Sequence, residues 1–326
     1  MRSAIYETFG PPQQVLHSAE RDKPVAGPGQ ALVRMVLSPI HNHDLATIAG
    51  NYGFKPALPA VPGTEAVGVV EALGAGVTHL AVGQRVAGGA AETWAEYYLA
   101  DAQRLVPVPD SVSDETACQL VSMPLSAKML LVDLQLQPGD WIVQNAGNGA
   151  VGKLVAQFGP QQGINVVSLV RRDAAVAELA ALGIGNVVST ESAGWQDRVR
   201  AITGGAPIVR AVDSLGGAGA DQVVEVAAQG AELVSFGAMT GAPITLTPAQ
   251  LLFKGLTVRG FWGAKPRLAG EVIGRLLGEL VTSAAKGELV LPIEAEFPIA
   301  DVARAVAASG EPGRKGKVAI RGMARR

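Results

Sequence analysis

A chain of 326 residues, 48% of them hydrophobic and 17% charged, has the composition of an ordinary globular protein and a length that accommodates about two domains. Its 27 Lys and Arg nearly balance 29 Asp and Glu, and no long basic run occurs, which argues against nucleic acid or an anionic membrane as the main partner. The single cysteine, Cys118, excludes an intrachain disulfide and a cysteine-based metal cluster, and it reads as a small buried apolar residue. No apolar run approaches the roughly 18 residues of a membrane span. The first ten residues lack the apolar core of a secretion signal, so the cytoplasm is the expected compartment.

Residues 1–119 are rich in strand and turn signals. Ala31–Leu37 and Val67–Ala72 are β-type apolar runs, the second set off by Pro62-Gly63. Val82–Val86 and Thr93–Leu99 read as further strand pieces, and Ser113-Asp114-Glu115 as a helix start with acid in its first turn. From 138 the rhythm changes. Candidate strands Trp141–Gln144, Asn165–Val170, Asn186–Ser189, Ile208–Asp213, Glu232–Gly237 and Leu256–Phe261 alternate with alanine-rich helical segments at 150–158, 173–182 and 218–228. Such alternation predicts βαβ units and a parallel sheet, with a ligand at the carboxyl ends of its strands. A long amphipathic helix is expected over 268–286, with Leu268, Val272, Leu276, Leu277 and Leu280 on one stripe. The strand-like pieces Glu294–Phe297 and Lys317–Ile320 then point back to the first domain.

Three stretches carry chemistry. Gly147, Gly149 and Gly152 fit G-x-G-x-x-G directly after the strand at 141–144. A lone match is weak in a chain with 40 glycines, and its place between strand and helix is what gives it force. In that reading the first glycine permits a tight turn, the second lets backbone approach a pyrophosphate, and the third lets helix pack on strand. Arg171 and Arg172 follow about 20 residues later, where an acidic residue would select NAD and an arginine accommodates a 2′-phosphate, so NADPH is favoured over NADH. The plain alternative is a solvated strand end.

His41 and His43 form an H-x-H spacing with Glu65 further on, which invites a metal reading. Four histidines and a distant cysteine do not assemble a zinc set, so no metal is expected. Hydride transfer would then need a hydrogen-bond donor in place of a metal electrophile. Tyr52, in Gly50-Asn51-Tyr52-Gly53, is the chosen donor, since a phenol can hydrogen-bond to developing enolate charge and can supply a proton. Its plain alternative is a loop tyrosine packed by its ring. Phe261-Trp262, a pair of scarce aromatics at a strand end, either walls an apolar pocket or fills core.

With those residues in view, nearly the whole chain resembles the zinc-independent medium-chain dehydrogenase/reductase proteins, and within them the NADPH-dependent 2-enoyl thioester reductases. The similarity runs through Ser38-Pro39-Ile40, Asn42 and Asp44, Gly50–Gly53, Leu58–Val61 and Gly63-x-Glu65; through Leu136–Asp140, Gln144–Ala146, Asn148, Val151-Gly152 and Val170-Arg171; and through Phe253-Lys254-x-Leu256 and Arg259–Trp262. This resemblance implies an α/β architecture in which a GroES-like, β-rich catalytic domain (1–119 with 266–326) accompanies a Rossmann-type, doubly wound cofactor domain (120–265). It implies Tyr52 as the catalytic residue. Asn145, Gly147, Asn148, Gly149, Val151 and Gly152 match the pyrophosphate turn, Arg171 and Arg172 the 2′-phosphate end, and Asn42, Phe261 and Trp262 the substrate pocket. A homodimer joined through the cofactor-domain sheets is implied too, as are acyl thioester or quinone-like substrates.

Two departures stand out. His41 and His43 replace the residues usual around the Asn-Asp pair, and glycines at 147 and 149 stand where mitochondrial enzymes often have serine. Quinone oxidoreductases of the same superfamily are the nearest rivals, and many carry a second tyrosine where this chain has Ala46. Zinc alcohol dehydrogenases fit less well, with Thr64 in the place of their histidine and His41 in that of a cysteine. A non-catalytic NADPH binder would have no need of Tyr52.

Overall fold

The structure is a computed structural model and describes residues 1–322. The chain divides into two compact units, one made of Met1–Ser122 with the segment from Leu277 onward, the other of Met123–Leu276.

The first unit is built on a seven-stranded sheet. Its strands run in the order Ile293–Pro298, Lys317–Arg321, Gln30–Pro39, Glu65–Leu73, Arg85–Gly89 and Leu105–Pro107, with Tyr97–Asp101 also paired to Gln30–Pro39. Gln30–Pro39 is buried along nearly its whole length, because three strands and a core of Tyr6, Met35, Ile48, Trp94, Tyr98 and Ile320 enclose it. That is why it reads as a continuous apolar run and not as an alternation. The pieces near the end of the chain join this sheet, Lys317–Arg321 pairing antiparallel with Gln30–Pro39. The strand expected from Thr93 begins only at Tyr97. Backbone groups at 93–95 bond instead to separate segments, Trp94 O accepting from Ala4 N and Trp94 N donating to Pro62 O, so no continuous ladder forms there.

The second unit holds six parallel strands in the spatial order Val187–Ser189, Asn165–Val170, Trp141–Gln144, Ile208–Asp213, Glu232–Ser235 and Thr257–Gly260. Numbered along the chain this is 3-2-1-4-5-6, the Rossmann order, whose switch point lies between the first and fourth strands. Val143, Val167, Leu169, Ala211 and Leu233 form the heart of its core. Helices Ala150–Gln161, Ala174–Ala180 and Ala218–Val226 occupy the predicted places. Three helices of this unit, Pro248–Leu252 among them, have no counterpart in the sequence reading. Met123–Asp133 is buried on most of its surface, from Pro124 to Leu131, so it shows no amphipathic stripe. Trp195–Thr203 is short and polar, bounded by left-handed Gly194 and Gly204. Gly270–Ala285 realises the long helix, with Leu276 and Leu280 of its stripe buried.

Candidate cofactor cradle and catalytic loop

The cradle is a property of the second unit alone. Strand Trp141–Gln144 runs into a turn whose left-handed residue is Ala146, at φ 51°, and not Gly147. Gly147 is required for a different reason. It donates to Leu169 O at 3.0 Å, and a Cβ there would lie 2.7 Å from Ser168 Cβ on the next strand. Gly152 is likewise pressed against the turn and not a strand, since its Cβ would lie 2.5 Å from Ala146 O. The outer two glycines therefore let the turn nest between strand and helix. Gly149 caps helix Ala150–Gln161 without offering a side-chain acceptor, so no side chain caps the first-turn N–H groups. Backbone donors at a helix N-terminus, free of side-chain clutter, suit a phosphate-sized anion.

Behind the turn lies a set of buried amides. Gln144 Nε2 donates to Gly152 O at 2.7 Å and to Ser168 Oγ at 3.0 Å, binding helix, turn and second strand together. Asn145 Nδ2 donates to Asp213 Oδ1 at 2.5 Å, and its Oδ1 accepts from Ser214 N at 2.7 Å. The Asn145 side chain is thus engaged at the switch point and shapes the turn from behind. Asn148 is exposed and Val151 half-buried on the same turn.

Arg171 and Arg172 stand exposed just past strand Asn165–Val170, two and three residues after the Leu169 carbonyl that holds Gly147. Arg172 lies 3.6 Å from Glu178 Oε1, whereas Arg171 makes no ion pair among the described residues. Asp173 does not cap the following helix. Its carboxylate accepts from Ser192 Oγ, and bonds from Ser189 and Ser192 hold it below the usual carboxylate range. Phe261 is buried against Phe236, the rings 5.7 Å apart and nearly parallel, while the adjacent Trp262 is half-buried with the Lys265 ammonium 5.1 Å from its ring centre.

The catalytic loop belongs to the first unit. Helix Asn42–Ile48 starts under Asp44, whose Oδ2 accepts from His41 N at 2.9 Å. It ends in a Schellman closure: Asn51 N donates to Ala46 O and Gly50 N to Thr47 O, with Gly50 at φ 76°. Only glycine adopts that conformation freely, and a Cβ would also press on Phe9 at 3.1 Å. The reversal sets Tyr52, half-buried, beside the start of its own helix, with its ring centre 5.9 Å from that of His43. His43 in turn stacks on His41, 4.9 Å between centres and 15° from parallel. Asn42, the first residue of the helix, is exposed.

Both histidines are held by neighbouring residues at the start of strand Glu65–Leu73. His41 Nε2 lies 2.8 Å from Glu65 Oε2 in full burial, and its Nδ1 has no hydrogen-bond partner. Burial, with Lys317 and His43 adding, pushes His41 well below the usual imidazole range. Glu65 is pushed up to about 7 by burial, against the pull of N–H donors from Ser122 and Val121. The imidazole of this pair is therefore neutral, and one hydrogen bond joins its Nε2 to the Glu65 carboxyl group. His43 Nε2 lies 2.6 Å from Thr64 Oγ1, and Thr64 Oγ1 donates to Asp44 Oδ1 at 2.8 Å. Thr64, Glu65 and Asp44 were not chosen as site residues from sequence. The available signal was the H-x-H-D run before a helix, in which an acid three residues past the cap position marks a capping carboxylate.

Among the described residues no three His, Cys, Asp or Glu side chains are grouped to hold a metal ion. The donors of the H-x-H stretch are paired with Glu65 and Thr64, and Cys118 is buried. No helix among those residues is long and apolar enough to cross a membrane.

A Rossmann-order sheet with a glycine collar at its switch point, in a chain whose other unit is β-rich, defines a dinucleotide-type α/β protein with an appended β domain. Residues 27–110 match the alcohol dehydrogenase GroES-like domain, and residues 150–277 match the zinc-binding dehydrogenase model. The mitochondrial enoyl-acyl-carrier-protein reductase of Bos taurus is 31% identical over 322 residues, spanning 96% of this chain and 86% of that one. A quinone oxidoreductase of Pseudomonas syringae pv. Tomato superposes with a TM-score of 0.87 at 27% identity, covering 98% of this chain and 99% of that one. A mycobacterial protein solved with NADPH gives 0.86 at 26%, covering 98% and 100%. The chain belongs to the medium-chain dehydrogenase/reductase superfamily and is an oxidoreductase of that class.

Proposed function

We propose that this protein is a zinc-independent, NADPH-dependent reductase of activated C=C bonds, with a trans-2-enoyl thioester as its substrate. The observation that carries the reading is Tyr52, brought by the Gly50 reversal to stand beside His43 in a loop where His41 and His43 are hydrogen-bonded to Glu65 and Thr64. The 31% identity to the bovine enoyl reductase supports the substrate class, and the mycobacterial NADPH complex supports the cofactor.

The cradle fits that cofactor. Uncapped N–H groups of helix Ala150–Gln161 and the collar at Gly147, Asn148, Gly149, Val151 and Gly152 would hold its pyrophosphate. Arg171, which has no competing ion pair among the described residues, would hold its 2′-phosphate, with Arg172 beside it. When bound, NADPH supplies a hydride for the β-carbon. The Tyr52 hydroxyl donates to the thioester oxygen as enolate charge develops and gives its proton to the α-carbon. Asn42 in the first unit, and Phe261 and Trp262 in the second, are the residues proposed to contact the acyl substrate, Phe261 being packed on Phe236.

The second reading is quinone reduction, supported by the 27% identity to the Pseudomonas enzyme; Ala46, where many such enzymes have a further tyrosine, weighs against it. NADPH oxidation with trans-2-enoyl-CoA, set against a simple quinone, separates the two. Turnover of the quinone alone rejects the thioester. Tyr52→Phe is expected to lower enoyl turnover by roughly 10²–10⁴; unchanged turnover removes Tyr52 from the mechanism.

A further inference from the structure

The reductase reading leaves His43 without a task, and its setting gives it one. Thr64 has a single hydroxyl proton, and that proton goes to Asp44 Oδ1 at 2.8 Å, because a carboxylate has none to give. The contact between Thr64 Oγ1 and His43 Nε2 at 2.6 Å must then be donated by the imidazole. The chain Nε2–H to Thr64 to Asp44 fixes the tautomer and leaves Nδ1 as the nitrogen that takes up and releases a proton. Asp44 is itself immobilised, its second oxygen accepting from His41 N. The His43 ring is stacked on His41, with the Tyr52 ring centre 5.9 Å away, and its side chain is 22% exposed, so solvent reaches it.

We propose that His43 is a positioning and proton-returning residue for Tyr52, oriented by Thr64 and Asp44. The proposal rests on the reductase reading. Once Tyr52 has given its proton to the α-carbon, the enolate pair having closed the new C–H bond, a phenolate is left. Protonated His43 passes its Nδ1 proton to that oxygen, directly or across one water, and recovers its own from solvent. The hydride and the Tyr52 proton together account for the two hydrogens added across the C=C bond, and the His43 proton restores the tyrosine. The charged and titratable groups around His43 are Asp44 on its own helix, Tyr52 after it, His41 with Glu65 behind it, and Lys317 acting on His41 and Asp44. Of the two stacked imidazoles, His41 is fully buried and His43 is the one that solvent reaches.

The experiment uses the full-length protein. Nitrogen-15 NMR of the imidazoles should show His43 protonated at Nε2 in the neutral state, and Thr64→Val should lose that preference while Thr64→Ser keeps it. A His43 protonated at Nδ1 in the wild type overturns the proposal. In the kinetic arm, wild-type kcat with trans-2-enoyl-CoA is expected to fall on the alkaline limb of its pH profile. His43→Asn should lower kcat by about 10²-fold, flatten that limb and leave KM for NADPH unchanged. Adding His43→Asn to Tyr52→Phe should cost little more than Tyr52→Phe alone, because one residue acts through the other. Equal loss at every pH, or full additivity of the two substitutions, overturns it. Wild-type turnover is the control that separates the two readings: no turnover with thioester or quinone strikes the reductase reading and this proposal together, whereas wild-type activity with an unaffected His43→Asn strikes this proposal alone.

Discussion

Asn145 donates from Nδ2 to Oδ1 of Asp213 at 2.5 Å, which ties the carboxyl end of the first strand of the parallel sheet to that of the fourth. The same Asp213 carboxylate accepts from Leu215 N and Gly216 N, and Asn145 Oδ1 accepts from Ser214 N. Two strand ends and the two loops that leave them are thereby fixed at the point where the chain order reverses, and the glycine turn is shaped by that brace. Asn145→Ala should leave a fully buried carboxylate short of a donor and cost about 1–3 kcal/mol of stability, measured by denaturant unfolding. Because the turn as a whole relaxes, affinity for NADPH and NADH should fall together. A variant that keeps wild-type stability and both affinities would show that the brace carries neither.

Arg171→Ala makes the contrasting case. The residue stands past the end of its strand with no ion pair among the described residues, so its removal disturbs no fold contact. A charge-assisted bond to phosphate is worth about 1.5–3 kcal/mol. Affinity for NADPH, followed by fluorescence titration, should therefore drop about 10- to 100-fold, with NADH little changed. Equal weakening of both nucleotides would return Arg171 to the solvated strand end that the sequence also allows.

The parallel sheet was the more legible part of the fold, because its signal is local. Strand–helix alternation marks every strand from Trp141 to Gly260 to within a few residues. Met123–Asp133 escaped because a helix buried nearly all round has no polar face to reveal its period. The H-x-H stretch was visible as a set of donors but not as an arrangement. What His41 and His43 bind is decided by Glu65 and Thr64, 24 and 21 residues further on and presented by the next strand, and spacing along a chain carries no such distance. The brace was hidden for the same reason, with Asp213 lying 68 residues beyond Asn145. For the glycines, sequence spacing identified the positions, while the work that Gly147 and Gly152 do depends on Ser168 and the Ala146 carbonyl.

Glu65 gives stability a pH signature. Burial raises its folded-state pKa from 4.5 to about 7, so the folded protein holds a proton that the unfolded chain releases. Between those values the native state binds more protons than the unfolded state, and stability falls as pH rises through that window. His41, depressed by burial, acts in the opposite sense, its contribution present above the ordinary imidazole value and lost as pH falls towards its folded-state pKa. Glu65→Gln removes the first effect and leaves the second. The stability of Glu65→Gln relative to wild type, from urea unfolding at a series of pH values, should rise between about pH 4.5 and pH 7. A difference that stays level across that range would mean that Glu65 does not change its proton occupancy on folding.

The far edge of the parallel sheet supports the homodimer that we propose for this oxidoreductase. Strand Thr257–Gly260 pairs with Glu232–Ser235 on one side and with no strand on the other among the described residues. An unpaired edge invites a second strand. Just before it, Leu252 and Phe253 are 72% and 79% exposed, and Val258 on the strand itself is also exposed. Apolar side chains flanking an open edge suit the isologous contact of a two-fold dimer, in which the same strand and the same side chains meet their copies. Phe253→Glu combined with Val258→Lys places charge on both without touching the core of the unit. Sedimentation should then show a folded monomer where the wild type is expected to sediment as a dimer, with the circular dichroism spectrum unchanged. A double variant that sediments as a dimer would move the interface elsewhere, and a wild type that sediments as a monomer would remove the dimer altogether.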